Sequence, residues 1–515
     1  MQKITFLMTS DTHGYWLNLP NKPEQSLLNT VATINHIKEN ADHPVVSIDL
    51  GDFIQGSSFA TYCSQIAEDG NIFARAVNEI GYDAQIIGNH EFNFGAEYRQ
   101  VILDQVKAPI LCCNIVDAET QEPALGEAYK IIEVAGVKIG IIGTTTHYIP
   151  NWELPQHYEG LAFKDAFETT QYYVELLRPQ VDVLVVAYHG GYEKDLNTWE
   201  PLEDLTGENQ GARMLQEIPE IDVLLTGHQH RLINQQVGKT WTVQPGYAGE
   251  RVATVTVSVE NGEILELTGE LHDTSKYEAE TNFKAVIEPE RTQGEAWLNH
   301  VLGEATLDVP TTSVFEARLN GIPFVELLNQ LQLAETDADF SAVALINDSF
   351  SKFTGPVTNE VLLEVYPYYN RIAKVQVTGQ DLYEIIEYDL EYLVVNETGE
   401  IDVNPEYVHP KPRHYNYDLF SGVTIKADLK QPLGQRIQAL INEKTQDPIN
   451  HDAIYTLAVS QYRAVGGGDY KNYTKDKIRF ISEIDIATRL REALANYTPE
   501  QWAFINENYI HVEWL

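Results

Sequence analysis

An asparagine amide and an imidazole stand side by side at Asn89-His90, within Gly88-Asn89-His90-Glu91-Phe92-Asn93, directly after the apolar run Ala84-Gln85-Ile86-Ile87. On a glycine-relieved turn leaving a buried strand, that pair suits one metal ligand beside one group aimed at a substrate. Four other apolar runs end the same way. Ile4 to Met8 leads into Asp11-Thr12-His13, Val45 to Ile48 into Gly51-Asp52, Val183 to Val186 into His189, and Val223 to Leu225 into Gly227-His228-Gln229-His230. A lone Gly-Asp or a lone histidine carries little weight, since a buried histidine is more often a satisfied core residue than a ligand. Five such segments in order point to a shared centre.

Positioning them requires strands whose carboxyl ends lie together, as in parallel sheets flanked by helices. From residue 1 to about 270, short Val- and Ile-rich strands alternate with helical stretches, the pattern of an α/β layered domain. Leu27 to Glu39 places Leu27, Leu28, Val31, Ile34 and Ile37 on one helical face, and Asn71 to Ile80 repeats the pattern. Val137 to Gly143 reads as another strand, followed by a loop from Thr144 to Trp152 in which His147 has no ligand partner nearby. Alternating segments between Trp241 and Leu271 predict antiparallel strands that close the domain. A charged stretch, 273–305, reads as a helical connector in which Pro289 should kink or break any helix.

The second domain, 306–515, mixes helices such as Phe324 to Leu333 and Leu382 to Leu393 with strands such as Ala373 to Val377. Its Tyr-rich segment from Tyr388 to Tyr417 reads as an excursion, and Trp502, Tyr509 and Trp514 as core or edge residues.

The order Asp-x-His, Gly-Asp, Gly-Asn-His-Glu-Phe, a lone His and Gly-His-x-His resembles the calcineurin-like metallophosphoesterases, and within them the two-domain 5'-nucleotidase and 2',3'-cyclic-nucleotide 2'-phosphodiesterase family. The second half is similar to that family through Tyr366 to Asn370 and Gln461 to Asp469, so the resemblance spans nearly the whole chain. It implies a catalytic domain over 1–272, a β-sandwich flanked by helices, and an α/β nucleotide-recognition domain over 306–515. It also implies two divalent metal ions, Mn, Zn, Fe or Co, because the donors are oxygen and imidazole with no thiolate.

Asp52, with Gly51 before it leaving the metals uncrowded, is the expected bridge between the ions. The resemblance assigns Asp11, His13 and His230 to one ion, and Asn89, His189 and His228 to the other. The Asp-x-His and His-x-His spacings would put alternate side chains on one side of an extended segment, converging on one centre. His90 is expected to serve chemistry, hydrogen-bonding the phosphoryl or leaving oxygen. Its partner in the 5'-nucleotidase branch is an Asp three residues on, where this chain has Asn93. Tyr368 and Tyr462 match two aromatics that sandwich a nucleobase, with Asn370 and Asp469 expected near sugar or base and Gly466-Gly467-Gly468 admitting the ligand. The arginine-bearing motif of the 5'-nucleotidase branch is replaced by Leu345-Ile346-Asn347-Asp348-Ser349-Phe350, which has no arginine.

Against 76 acidic residues the chain has 35 basic ones, a formal charge of −41 that opposes binding to a nucleic-acid polymer or an anionic membrane surface. The partner expected is a small-molecule nucleotide, drawn to a locally positive metal centre inside an acidic protein. Three cysteines at 63, 112 and 113 have neither zinc-site spacing nor a disulfide count, and with no export segment they suggest the cytoplasm. The function expected is metal-dependent hydrolysis of nucleotide phosphoesters, on 2',3'-cyclic nucleotides first. A 5'-nucleotidase or nucleotide-sugar hydrolase is the alternative enzyme, and a nucleotide-binding protein without turnover is the alternative of another class.

Overall fold

A computed structural model describes the chain except for residues 20, 21, 23, 368, 369 and 409–411. The chain divides into two compact units, Met1–Trp297 and Leu298–Leu515.

Unit 1 is built on two six-stranded sheets. In the first, Gln2–Thr9, Val45–Asp49, Ala84–Ile86 and Ile110–Leu111 run parallel, and the hairpin Arg251–Glu260 and Glu263–Asp273 closes one edge antiparallel to Gln2–Thr9. In the second, Val137–Thr145, Val183–His189, Val223–Thr226 and Thr240–Pro245 are parallel, with antiparallel edges Tyr129–Val134 and Leu232–Val237.

Strands buried on both faces have no polar side to show, which is why they read as continuous apolar runs. Ile4, Phe6 and Met8 pack in the core shared with Val183, Val185 and Ala187, whereas Leu7 joins the core under the helices. Leu184 and Val186 belong to a third core with Phe167 of the helix Ala166–Leu177 and Met214. The two helices expected from the periodicity form as Leu27–Asn40 and Asn71–Ile80. Ser26 begins the first with a capping box to Asn29, and Gly81, at φ 69°, ends the second in the left-handed conformation that glycine takes without strain.

Pro289 does not break its helix, which runs from Thr281 to Leu298. Tertiary contacts override the local cost. Ile287 and Phe283 are buried in the unit 1 core, Phe283 stacks on Trp16 at 5.6 Å, and Arg75 donates to the Val286 carbonyl at 2.8 Å, close to where proline opens the ladder. Among the described residues no helix is long and apolar enough to cross a membrane.

Unit 2 centres on a five-stranded mixed sheet in the spatial order Asp418–Ser421, Phe340–Ala344, Ile454–Ser460, Arg371–Thr378, Ile478–Asp485. The helix Pro323–Thr336 covers it through Phe324, Leu327, Leu328 and Leu331. Thr378 caps the helix Gly379–Leu390, which stops before Leu393 because that residue opens a short hairpin. The described residues of the Tyr-rich excursion are folded against the core. Tyr392, Tyr407 and Tyr417 are buried, and Tyr392 stacks on Tyr417 at 4.6 Å. Trp502 is a core residue, and Trp514 lies on an edge strand parallel to Val423–Ala427.

Candidate metal centre

Because the inner strands of each sheet are parallel, their carboxyl ends gather five loops at one edge of the sandwich. Asp11 and His13 follow the first strand, Asp52 the second and Asn89 the third; His189 ends its own strand, and His228 and His230 follow Val223–Thr226. Their donor atoms collect in two groups, Asp11 with His13 and His230, and Asp52 with His189 and His228. His13 Nε2 is 3.0 Å from His230 Nε2, and His230 Nε2 is 3.6 Å from Asp11 Oδ1. In the second group His189 Nε2 lies 3.1 Å from Asp52 Oδ2, and Asn89 Oδ1 lies 3.1 Å from His189 Nε2 and 2.8 Å from His228 Nδ1.

The reverse edge of three imidazoles is already engaged. His13 Nδ1–H donates to the Gln55 carbonyl at 2.7 Å, His189 Nδ1–H to the Leu50 carbonyl at 2.6 Å, and His228 Nε2–H to Glu208 at 3.0 Å. Each bond turns a lone pair toward the centre, the usual setting of a metal-bound histidine. Asp52 Oδ2 is fully buried and makes no hydrogen bond, although its other oxygen accepts from His90 N–H at 2.7 Å. With His189 as a neutral ring, the second group brings together acceptors that lack hydrogens to share. This arrangement fits a divalent cation, whose positive charge replaces the missing donors.

The electrostatics agree. Burial works against the charge of Asp52, but the field of His189 outweighs it and holds the carboxyl well below its ordinary range. In return, although burial opposes it, Asp52 raises His189 to about 10. Burial lowers His13 to about 4 and depresses His228 as well.

The backbone at the site is not extended. Asp11, His13, Asp52, His228 and His230 have φ of 53°, 50°, 56°, 68° and 58°. Such left-handed positions cost on the order of 1–2 kcal/mol each for a side chain with a Cβ, and asparagine, aspartate and histidine are among the types that bear them best. This corrects the spacing argument: the His-x-His pair does not converge on one centre but divides, His228 to the Asp52 group and His230 to the Asp11 group. Gly51 also acts differently from expectation. A Cβ there would lie 2.3 Å from Gly88 N, and one on Gly88 would lie 2.2 Å from Asp52 Oδ1, so the glycines let two loops touch. The buried Glu91 carboxylate fastens those loops, accepting from the backbone N–H of Asp52, Phe53 and Gly88 at 2.8, 2.9 and 2.6 Å.

His90 stands apart from both groups, with Nδ1 2.5 Å from Asn93 Oδ1 and its ring 5.1 Å from that of His13. In unit 2, Asn370 and Tyr462 line a cavity of about 270 Å³ together with Tyr366, Tyr415, Asp418 and Arg463. Gly467 lies against the Tyr462 ring, where a Cβ would come within 2.6 Å. Asp469 is not brought to this cavity; it lines a separate groove with Tyr388 and Tyr470. Tyr368 lies outside the described residues. Sequence reasoning passed over Glu91, Glu153 and Glu208. Glu91 was signalled by its place within the Gly88 to Phe92 segment, whereas the other two come from distant loops with no local pattern.

Two layered sheets with histidine, aspartate and asparagine at their shared carboxyl edge define a metal-dependent phosphoester hydrolase. The family models place the chain further: residues 4–232 match "Calcineurin-like phosphoesterase" and residues 301–475 match "5'-nucleotidase, C-terminal domain". The chain belongs to the two-domain calcineurin-like metallophosphoesterases of the 5'-nucleotidase family.

It is similar over its whole length to the crystal structure of a putative 5'-nucleotidase from Staphylococcus aureus in complex with alpha-ketoglutarate, at 32% identity, 100% of both chains and a TM-score of 0.88. Curated relatives include 2',3'-cyclic-nucleotide 2'-phosphodiesterase/3'-nucleotidases from Haemophilus influenzae, 25% identical over 82% of this chain and 73% of the relative, and from Salmonella typhimurium, 25% identical over 90% and 81%.

Proposed function

We propose that the chain hydrolyses 2',3'-cyclic nucleotides at the 2' ester and acts as a 3'-nucleotidase, with two divalent transition-metal ions. Asp11, His13 and His230 would hold one ion, Asn89, His189 and His228 the other, and Asp52 both. When bound, the ions activate water and stabilise charge on the phosphoryl oxygens. The chain's own residues orient the substrate. His90, with Nδ1–H given to Asn93, turns Nε2 toward the substrate, and as the imidazolium it donates Nε2–H to the oxygen on which charge develops. Tyr462, 48% exposed, offers a ring face to a base.

The preference for a cyclic diester rests on Arg463. This buried guanidinium lines the cavity but is committed elsewhere: Nε and Nη2 hold Asp418 at 2.9 and 2.8 Å, Nη2 also donates to the Tyr415 carbonyl, and Nη1 donates to the Gly467 carbonyl. With no arginine between Leu345 and Phe350 either, the described residues lining the cavity offer no uncommitted guanidinium fork for the dianion of a terminal 5'-phosphate, while a cyclic diester with one negative charge needs it less. The relatives from Haemophilus influenzae and Salmonella typhimurium support this branch by their activity. The Staphylococcus aureus relative favours a 5'-nucleotidase instead.

A panel of 2',3'-cyclic AMP, 3'-AMP, AMP and a UDP-sugar with metal-loaded enzyme decides between them. Higher kcat/KM on 2',3'-cyclic AMP than on AMP is expected; the reverse order overturns the branch and leaves the metallophosphoesterase standing.

A further inference from the structure

Asn93 presents an amide, not a carboxylate, to His90, but a carboxylate lies one step further out. Asn93 Nδ2 donates to Glu153 Oε1. The other Glu153 oxygen is 2.8 Å from His157 Nδ1. Glu153 follows the turn Ile149–Asn151, its N–H bonded to the Ile149 carbonyl at 3.0 Å, and its side chain is only 9% exposed. Arg99, buried against the Phe92 ring, donates to the His157 carbonyl at 3.0 Å and so ties this loop to the Gly88–Asn93 segment. Four side chains thus form a row: His90, Asn93, Glu153, His157.

An amide has one accepting and one donating end, whereas a carboxylate only accepts. Glu153 can therefore bond Asn93 only through the NH2 group. That leaves the amide oxygen for His90, and an oxygen can bond only a ring nitrogen that carries hydrogen. Hydrogen is thereby fixed on Nδ1, so the proton that His90 gives or takes is the one on Nε2, the nitrogen left for the substrate. Without Glu153 the amide can turn over, offer NH2 to Nδ1 and invert the tautomer.

We propose that Glu153 is a positioning residue for the hydrolysis: acting through Asn93, it holds His90 in the Nδ1–H tautomer, doing from one amide away what an Asp at position 93 would do directly. The inference rests on His90 serving chemistry as described under the proposed function.

The test is a pair of substitutions in two backgrounds, assayed on bis(4-nitrophenyl) phosphate, which needs no nucleotide cavity. In the wild-type background Glu153→Gln should lower kcat at least about tenfold, the scale on which outer-shell partners act, with KM and metal content unchanged. In an Asn93→Asp background the same change should raise kcat. There it relieves two adjacent carboxylates and supplies an amide N–H in place of one of them. A sign reversal between backgrounds is not what a merely structural role produces. An equal loss of kcat in both backgrounds, or no loss in metal-replete Glu153→Gln, overturns the proposal.

Long-range 1H–15N spectra of selectively labelled protein read the His90 tautomer without turnover. Nδ1–H in the wild type and a mixture in Glu153→Gln are expected; Nε2–H in the wild type overturns the proposal even if activity is normal. Wild type that cleaves the nitrophenyl ester but not 2',3'-cyclic AMP refutes the substrate reading alone.

Discussion

His189 should carry a proton that a metal ion must expel. Its Nδ1–H is committed to the Leu50 carbonyl, and Nε2 lies 3.1 Å from Asp52 Oδ2, whose charge raises the imidazole to about 10 against the opposing effect of burial. The other donors with resolved shifts have no proton to lose between pH 7 and 10. Burial holds His13 near 4 and lowers His228, while Asp11, despite burial, is kept near 2 by His230 and His189.

Proton and cation compete for one lone pair, so raising the pH favours the cation until about pH 10 and has no further effect through this group beyond it. At about pH 7.5 a group titrating near 10 is protonated in all but roughly one molecule in 300, and apparent affinity should rise about tenfold per pH unit from there. Competition against a chelator of known proton linkage, from pH 7.5 to 9.5, measures the slope with Mn or Zn. Long-range 1H–15N spectra should show His189 as imidazolium at pH 8 without metal and as a neutral ring with metal. Affinity that stays flat across this range, or a neutral His189 in the metal-free protein at pH 8, would refute the reasoning.

Asp52→Asn should lose both ions and activity together, and metal analysis that finds two ions retained would remove Asp52 from the bridging position. Substituting His90→Ala should leave metal content intact while turnover drops at least about a hundredfold, the effect of losing a positioned proton donor; near-normal turnover in the metal-loaded variant would reject its role. His511, held between Glu326 at 3.0 Å and Glu443 at 2.7 Å, is raised to about 9 although burial opposes it. Its contribution to the stability of unit 2, on the order of 3 kcal/mol, should be fully present below about pH 6.5 and vanish as pH rises through about 9. Thermal melts over that range should show the decline in the wild type but not in His511→Gln.

The layered fold and the candidate ligands that it gathers were legible because each of those residues follows an apolar run, and a strand buried on both faces leaves such a run in any sequence. How the ligands are shared was not legible from spacing. His228 and His230 part because their backbone is left-handed, and a conformation set by loop contacts leaves no period-two or helical signature. Pro289 misled for the opposite reason: a local rule was overridden by Phe283 and Ile287 packing into a core made by residues far away in sequence. Glu153 and Glu208 were invisible because an acid in a loop looks like any of the other 74 among the 76 acidic residues until the fold places it against Asn93 or His228.

Each group of candidate ligands draws on both sheets: Asp11 and His13 from one with His230 from the other, and Asp52 and Asn89 from one with His189 and His228 from the other. An ion in either place would be a staple across the seam of the sandwich. Apolar packing binds the rest of that seam, so the carboxyl edge is where metal supply would change the grip. Chelation should therefore leave the folded sandwich intact but speed amide exchange at the ends of Gln2–Thr9, Val45–Asp49, Val183–His189 and Val223–Thr226, fraying one edge while the opposite ends stay shut.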